Sequence, residues 1–501
     1  MDKFWAKLKS GTDIRGVAIG TENSPVTLTD GVIYAATAAF LYWLSKRIVV
    51  ISSGAEKSLT IAVGHDSRLS SPRIKNAVIC AARDVGCKVY DCGLCSTPSI
   101  FMMTQYTQTA ADGAIMVTAS HHSYDKNGLK FFTADGGVES EDLTEILELA
   151  SSGKTLPKKV GCRVIEGDFL GLYCAHLVKI FRNSLNDDLP LLGLKIAVDA
   201  GNGAGGFFCN RVLEPLGADT SGSRFLEPDG SFPNHSPNPE NPAAMLAAAE
   251  MVLDSGADFG IIFDTDVDRA GFVGAGGKEI NRNRLIALIS AIILLKEPNA
   301  AIVTDSVTSE GLTEFIVKHS GTHRRFKRGY RNVINEAVRL NAPLAIETSG
   351  HAAFRENYFL DDGAYLAVKI LTEICRARRE GRNILDEIAS LREPSEEKEF
   401  RLKFKNGNLN CGAEVLESLV AACKNAGFDV DPDSCEGIRA FMHGGNFILR
   451  QSVHDPLLSL NIESYILGGV KKIARELLTL LTLYKELDLT PLTDYIKNGD
   501  N

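Results

Sequence analysis

The sequence predicts an α/β protein: three related α/β domains with mixed sheets, followed by a smaller C-terminal α+β domain. Three observations carry this reading. At 501 residues the chain exceeds what one ordinary core supports, and a typical domain size divides it into roughly three to four parts. Short β-branched or aliphatic runs recur at 59–64, 114–118, 195–199, 259–264, 301–305 and 342–347, each ending in a polar loop with Gly or Asp and followed by helix-like sequence. Alternation of this kind builds βα units, in which ligands sit beyond the carboxyl ends of the strands. Finally, the rhythm is lost from about Glu399 onward, as expected of a different, smaller unit.

Composition breaks mark the joints. The stretch 151–161 carries Ser, Gly, Pro and three lysines, an apolar helical run ends near 296–298, and 392–399 contains Pro and dense charge. The expected domains are therefore 1–160, 161–297, 298–395 and 396–501, the first three being variations on one βα plan.

Bulk properties exclude several classes. With 45% hydrophobic and 23% charged residues the chain is neither disordered nor fibrous. A net charge of −9 argues against a general nucleic-acid binder, which needs a basic surface for counterion release. The longest apolar runs, 32–44 and 285–295, fall short of the ~20 residues that span a bilayer and read as buried helices, so no membrane association is expected. The first apolar run lies behind Asp13, Glu22 and Asp30 rather than directly after a basic start, so no signal peptide is read. The expectation is a cytoplasmic protein, with a plastid or other organelle after loss of a transit peptide as the alternative. The 11 cysteines are odd in number and irregularly spaced, which fits reduced thiols. Cys92-Gly-Leu-Cys95 has redox or zinc spacing, yet no second CxxC or nearby HxxxH completes a site, so it reads as structural.

Two loops carry chemistry. The run 259–264 opens into Asp264-Thr265-Asp266-Val267-Asp268-Arg269. Three carboxylates at alternate positions on a tight loop converge on one hard cation, whose charge offsets their mutual repulsion. An EF-hand would place Gly and Glu where Arg269 and Ala275 stand, so a calcium loop is excluded. A haloacid-dehalogenase-type phosphatase also opens strand-Asp-x-Asp, but wants Thr or Val in place of Asp268. The second loop runs from Thr118-Ala119-Ser120-His121-His122-Ser123 to Lys130. A serine alcohol needs a base, a metal or a preinstalled phosphoryl group to act covalently, and Ser120 lacks the flanking glycines of a hydrolase elbow. Taken alone, this segment reads as readily as an ordinary Ser-rich loop.

Together the segments resemble the α-D-phosphohexomutase superfamily, specifically its phosphomannomutase/phosphoglucomutase branch. Ser10-Gly11-Thr12-Asp13-Ile14-Arg15-Gly16 is similar to the family's N-terminal active-site segment, and Gly64-His65-Asp66-Ser67-Arg68-Leu69-Ser70-Ser71 to the strand-end motif after it. Ser96-Thr97-Pro98 fits a further element, Thr118–His121 resembles the phosphoserine loop, Asp264–Arg269 the metal loop, and Glu347-Thr348-Ser349-Gly350-His351 the sugar-binding loop.

The resemblance implies four domains around a central cleft and an intramolecular phosphotransferase. In it, a phosphorylated Ser120 exchanges its phosphoryl group with a hexose monophosphate through a hexose 1,6-bisphosphate, interconverting the 1- and 6-phosphates. One Mg²⁺ per chain would be held by Asp264, Asp266, Asp268 and Ser120, with hexose 1,6-bisphosphate as activator. Arg15 and Arg269 would contact phosphate, and His121 and Lys130 would serve as acid and base. Glu347, Ser349 and His351 would hold the sugar; Gly329, Arg450 and Ser452 would complete substrate binding. Because the 3- and 4-hydroxyls are common to glucose and mannose, a site reading them is expected to accept both. The basic run 324–331, which could pass for a nucleic-acid patch, lies at this family's substrate loop. A monomer or homodimer with a phosphosugar substrate is expected, and no nucleic-acid partner.

The sequence also departs from the pattern. The family's phosphate clamp, Arg-Pro-Ser-Gly-Thr-Glu-Pro, is here Arg450-Gln451-Ser452-Val453-His454-Asp455-Pro456, and a further family arginine is Ser459. His122 and Ser123 stand where Asn and Pro are usual. These changes keep open a catalytically weakened phosphosugar-binding homologue with a regulatory role, and the Ser349-Gly350-His351 run, which the glucosamine branch also carries, keeps open a phosphoglucosamine mutase.

Overall fold

The computed structural model describes residues 2–22, 24–51, 58–405, 411–452 and 456–498. Two compact units emerge: Met1–Ile292 with Pro343–Glu387, and Ile293–Ala342 with Ile388–Asn501.

The first unit contains a large mixed sheet. Gly113–Val117, buried throughout, runs parallel to Thr60–His65, which runs parallel to Lys88–Leu94, and that strand in turn to Arg163–Glu166. On its other side, Gly113–Val117 pairs antiparallel with Lys126–Thr133, which pairs antiparallel with Asp13–Val17. Gly128 is required here, because a Cβ would stand 2.1 Å from the carbonyl oxygen of Ile14 on the neighbouring strand. The apolar run at 32–44 lies within the helix Asp30–Ile51, which packs on Ser71–Asp84 and Ser140–Ser151 around Ile33, Phe40, Leu44, Ile74, Val78 and Ile146. The strands Gly113–Val117, along its whole length, and Thr60–His65, along all but its two end residues, are buried, as their continuous apolar runs require.

A second sheet in this unit joins Ile196–Asp199 in parallel to Phe259–Phe263, which pairs antiparallel with Ala270–Gly274, Phe263 opposite Ala270. Both strands of this hairpin are wholly buried. A third hairpin pairs Leu344–Ile346 with Ala352–Phe354.

The six predicted strands lie at 60–65, 113–117, 196–199, 259–263, 301–305 and 344–346. Three of them are not succeeded by the expected helix. After 117, 263 and 346 the chain returns as an antiparallel strand. The reason is visible in Ala270–Gly274 and Ala352–Phe354, which are too short to bury a helical face and carry no polar position to place outward. These three β-turn-β connections contain Ser120, the aspartates and Glu347–His351.

In the second unit, Ala301–Asp305 and Thr322–Phe326 are parallel, with the helix Glu310–Lys318 between them in sequence. An antiparallel sheet comes next, in the order Glu396–Lys403, Leu457–Ser464, Gly445–Gln451, Ile438–Met442, Asp429–Val430. It is covered by Cys411–Asn425, Gly469–Leu481 and Thr490–Asn498 over a core that includes Phe400, Leu402, Phe447, Leu460, Ile473 and Leu477. This is the α+β part the sequence predicts. The stretch 392–399, read as a linker, instead runs into the strand from Glu396, because inward-facing apolar residues begin only at Phe400. No helix among the described residues is long and apolar enough to cross a membrane. Cys92 and Cys95 are free and buried, and burial pushes the Cys95 thiol up to about 12, as suits packing rather than redox chemistry.

His323 sits between the hydroxyls of Thr304 and Thr313, each 2.8 Å from a ring nitrogen. Burial, then Arg325 and Arg439, hold its pKa well below the ordinary value, so the folded chain keeps it neutral. Below pH about 6.5 the unfolded chain binds a proton that the folded chain does not, and stability is lost as pH falls. Denaturant unfolding at about pH 7 and about pH 5.5 should show the loss, and His323→Gln should flatten the dependence by up to about 1.4 kcal/mol per pH unit.

Candidate active site

Ser120 lies in the loop after Gly113–Val117 in a left-handed conformation, φ +49°. Its hydroxyl donates to Asp264 Oδ2 at 2.9 Å, bringing the serine loop against the hairpin turn of the second sheet. On that turn Asp264, Asp266 and Asp268 are all buried, with ligand-capable oxygens within 4.8 Å of one another. Asp266 Oδ1 and Asp268 Oδ1 have no hydrogen-bond partner among the described residues. Buried carboxylate oxygens without donors, crowded by like charge, fit a hard divalent cation.

Cationic side chains offset part of the charge. Lys130, on the strand Lys126–Thr133, donates to Asp266 Oδ2 at 3.0 Å and to Asp268 Oδ2. Burial opposes its charge, but Asp266 and Asp268 outweigh it and keep the ammonium protonated. Burial, then Asp268 and Asp266, push the Asp264 carboxyl well up, as expected of a group packed among like charges.

The turn is held in an unfavourable shape. Val267 has φ +67°, a conformation a β-branched residue rarely adopts and one that costs about 1–3 kcal/mol. Its carbonyl accepts from Gly363 N at 3.0 Å. Thr97 binds Asp266 twice, through its amide to the carbonyl at 2.8 Å and through its hydroxyl to Oδ2. Ala204 N donates to Thr265 O at 2.8 Å, an approach possible because a Cβ on the adjacent Gly203 would lie 2.8 Å from that same oxygen.

Arg269 links the remaining elements. Its Nη2 donates to His121 Nδ1 at 2.8 Å, its Nε to His351 Nε2 at 3.2 Å, and Nη1 approaches Glu240 at 3.4 Å. A guanidinium only donates, so Nδ1 of His121 is the acceptor and the ring proton sits on Nε2. Arg269, with burial, keeps His121 far below its ordinary pKa and therefore neutral. On the Glu347–His351 loop, Ser349 Oγ lies 2.9 Å from His351 Nδ1 and 3.4 Å from Glu347 Oε2. Ala270 N donates to Gly350 O at 3.3 Å, docking this loop on the end of the metal turn. Arg15 donates to Thr118 O at 2.6 Å and to Asp13 at 2.7 Å.

The first unit thus gathers Ser120, His121, Lys130, Arg15, Arg269, the three aspartates, Glu347, Ser349 and His351. Gly329, Arg450 and Ser452 belong to the second unit. There Arg450 is buried, its Nε has no hydrogen-bond partner among the described residues, and Glu436, Arg328 and Asp305 are its electrostatic neighbours. Gly329 has φ +113°, beyond a backbone amide of Arg328 that donates to Glu436 at 3.1 Å. Val453, His454 and Asp455 of the divergent loop lie outside the described residues. Sequence reasoning gave Thr97 no role of its own and passed over Gly203 and Gly363; the Gly-rich run at 201–206 was the one available signal.

Comparison with known proteins shows the family. Models for phosphoglucomutase/phosphomannomutase α/β/α domains I, II and III match residues 7–156, 172–277 and 281–391. A phosphomannomutase/phosphoglucomutase of Pseudomonas syringae is 30% identical over 92% of both chains, and a phosphoglucomutase of Neisseria gonorrhoeae is 28% identical over 92% of this chain and 94% of its own. A crystal structure of a phosphoglucomutase/phosphomannomutase family protein from Burkholderia thailandensis superposes with a TM-score of 0.80 at 25% identity, covering 97% of this chain and 98% of the other. The chain belongs to the phosphoglucomutase/phosphomannomutase family of the α-D-phosphohexomutase superfamily.

Thr97→Val removes the hydroxyl that orients Asp266 while retaining the amide contact. Calorimetric titration with Mg²⁺ should show affinity reduced about tenfold, with an unchanged far-ultraviolet spectrum.

Proposed function

We propose that this phosphohexomutase interconverts the 1- and 6-phosphates of glucose and of mannose through a phosphorylated Ser120 and a hexose 1,6-bisphosphate. The observation that carries the reading is the Ser120 hydroxyl bound to Asp264 beside two carboxylate oxygens that lack donors.

In the first half-reaction the bond from Ser120 Oγ to phosphorus breaks as a sugar hydroxyl oxygen bonds to phosphorus, and the hydroxyl proton ends on Ser120 Oγ. After the bisphosphate turns over, the second half-reaction reverses these changes at the other phosphate. A serine whose O–H already points at Asp264 keeps an oxygen lone pair directed elsewhere, toward an incoming phosphorus. Lys130, held protonated between Asp266 and Asp268, places positive charge beside the transferring oxygens, where charge neutralisation governs the rate. His121 is neutral with its Nδ1 occupied, so it aims the Arg269 guanidinium and offers Nε2–H as a donor. Mg²⁺, when bound by Asp264, Asp266, Asp268 and an oxygen on Ser120, supplies Lewis-acid neutralisation of phosphoryl charge.

Glu347 and Ser349 are suited to the vicinal 3- and 4-hydroxyls, one accepting and one donating, and the His351 to Ser349 contact fixes the hydroxyl that does so. Arg450, with an unsatisfied buried Nε, is suited to a phosphate oxygen together with Ser452 and the backbone at Gly329.

Mass spectrometry of purified protein should find one phosphoryl group on Ser120, lost in Ser120→Ala. Asp266→Ala should lower turnover of glucose 1-phosphate by at least about 10³-fold with the thermal midpoint little changed. Full activity in that variant would contradict the assignment. Turnover of glucose and mannose phosphates should agree within about tenfold, with glucosamine phosphate slower.

A further inference from the structure

Arg68 is among the largest fully buried side chains, 1% exposed, and among the described residues none of its side-chain hydrogen bonds goes to the three aspartates or to the Glu347–His351 loop. Its Nε donates to Asp66 at 3.1 Å. The other two nitrogens reach four backbone carbonyls of one loop: Nη1 donates to Ser123 at 2.7 Å and Lys126 at 3.1 Å, and Nη2 to Ser120 and to His122 at 2.6 Å. Asp66 anchors the start of the same loop, its Oδ2 accepting from Thr118 Oγ1 at 2.7 Å, while Thr118 Oγ1 accepts from Ser120 N at 2.8 Å. Oδ1 of Asp66 is fixed in turn by Ser71 Oγ at 2.7 Å and by the amide of Arg68 at 3.0 Å.

Ser120 is therefore gripped on both sides of its Cα, through Thr118 on the amide side and Arg68 on the carbonyl side. The grip falls on a residue with φ +49°, a conformation that a serine leaves readily unless its surroundings enforce it. Burying a guanidinium is costly unless its donors are satisfied, and here four of the acceptors are main-chain carbonyls, so the charge orders backbone instead of pairing solely with a carboxylate. Only a planar fork reaches four carbonyls around one loop; a lysine ammonium in its place keeps the charge for Asp66 but radiates donors from a single point.

We propose that Arg68 is a positioning residue for phosphoryl transfer, which by clamping the carbonyls of Ser120, His122, Ser123 and Lys126 fixes Ser120 Oγ against Asp264. The proposal rests on the mutase reading for its kinetic consequence, although the clamp itself is a property of the loop. In Arg68→Lys, kcat should fall about 100-fold, the effect of misplacing a reacting atom by about an ångström, while KM for the hexose phosphate changes less than about twofold. Amide hydrogen exchange at 119–126 should accelerate with the rest of the chain unchanged. Wild-type kcat in a folded Arg68→Lys protein overturns the proposal, as does a uniform rise in exchange throughout, which marks a merely structural role. Should Arg68→Lys fail to fold, Thr118→Val cuts the second tether and should lower kcat about tenfold at constant KM; unchanged kcat there overturns the proposal. If the wild-type protein turns over no hexose phosphate, the mutase reading falls, and exchange at 119–126 still decides the clamp: no difference between wild type and Arg68→Lys sinks it.

Discussion

Three carboxylates confined within 4.8 Å, out of reach of solvent, repel one another strongly, and the architecture of the first unit is organised to withstand that repulsion. The hairpin that carries them is buried along both strands, so the turn cannot open without exposing its apolar faces. Lys130 arrives from a different sheet to bridge two of the three, and Arg269 stands beside the third, its Nε 3.7 Å from Asp264. Thr97, Ala204 and Gly363 hold the turn's backbone from three further segments, which is how Val267 persists at a positive φ. The strain is sustained by many contacts, as at sites whose shape serves function.

The same electrostatics assign roles to neighbouring groups. Arg269 reaches His121 on one side and His351 on the other, connecting the serine loop, the metal turn and the Glu347–His351 loop. Arg269, with burial, keeps His121 neutral, whereas Lys130 stays cationic between Asp266 and Asp268. His121 and Lys130, expected as acid and base, thus differ in charge, and the proposed function gives them different tasks. In the proposed mechanism, a fixed charge pattern of this sort would spare the protein reorganisation as charge develops on the phosphoryl oxygens.

Much of this was legible in the sequence, because strand ends and alternating aspartates leave local signatures. All six apolar runs became strands, and Ser120 and the aspartates fell in loops after them. The contacts that shape the site left no such trace. Thr97 and Asp266 are 169 residues apart, and Arg68 meets the serine loop from 52 residues away. Their bonds to main-chain carbonyls or to single carboxylate oxygens impose no periodicity and no composition. Two of the three antiparallel returns, Ala270–Gly274 and Ala352–Phe354, were missed for a related reason, since a short apolar segment without polar alternation reads equally as helix or strand until its partner is known.

The second unit obeys a different balance. Arg439 and Arg450 are both buried, but the Arg439 guanidinium is occupied by the carbonyls of Ser306 and Thr308 and by Asn446. Glu436, close to Arg450, already accepts from Arg328 N and Ser306 Oγ. Ser459, where the family places an arginine, bonds to Glu399. Of these two buried guanidiniums, Arg450 is thus the one with an unspent donor, and burial without a satisfied Nε favours any anion that supplies an acceptor. A phosphate bound here gains one charge-assisted partner whose desolvation cost is already met by folding, while Glu436 opposes its approach. In the proposed reading, a phosphate held in this unit would therefore depend on the geometry at Arg450, whose Nε is buried and unpaired among the described residues.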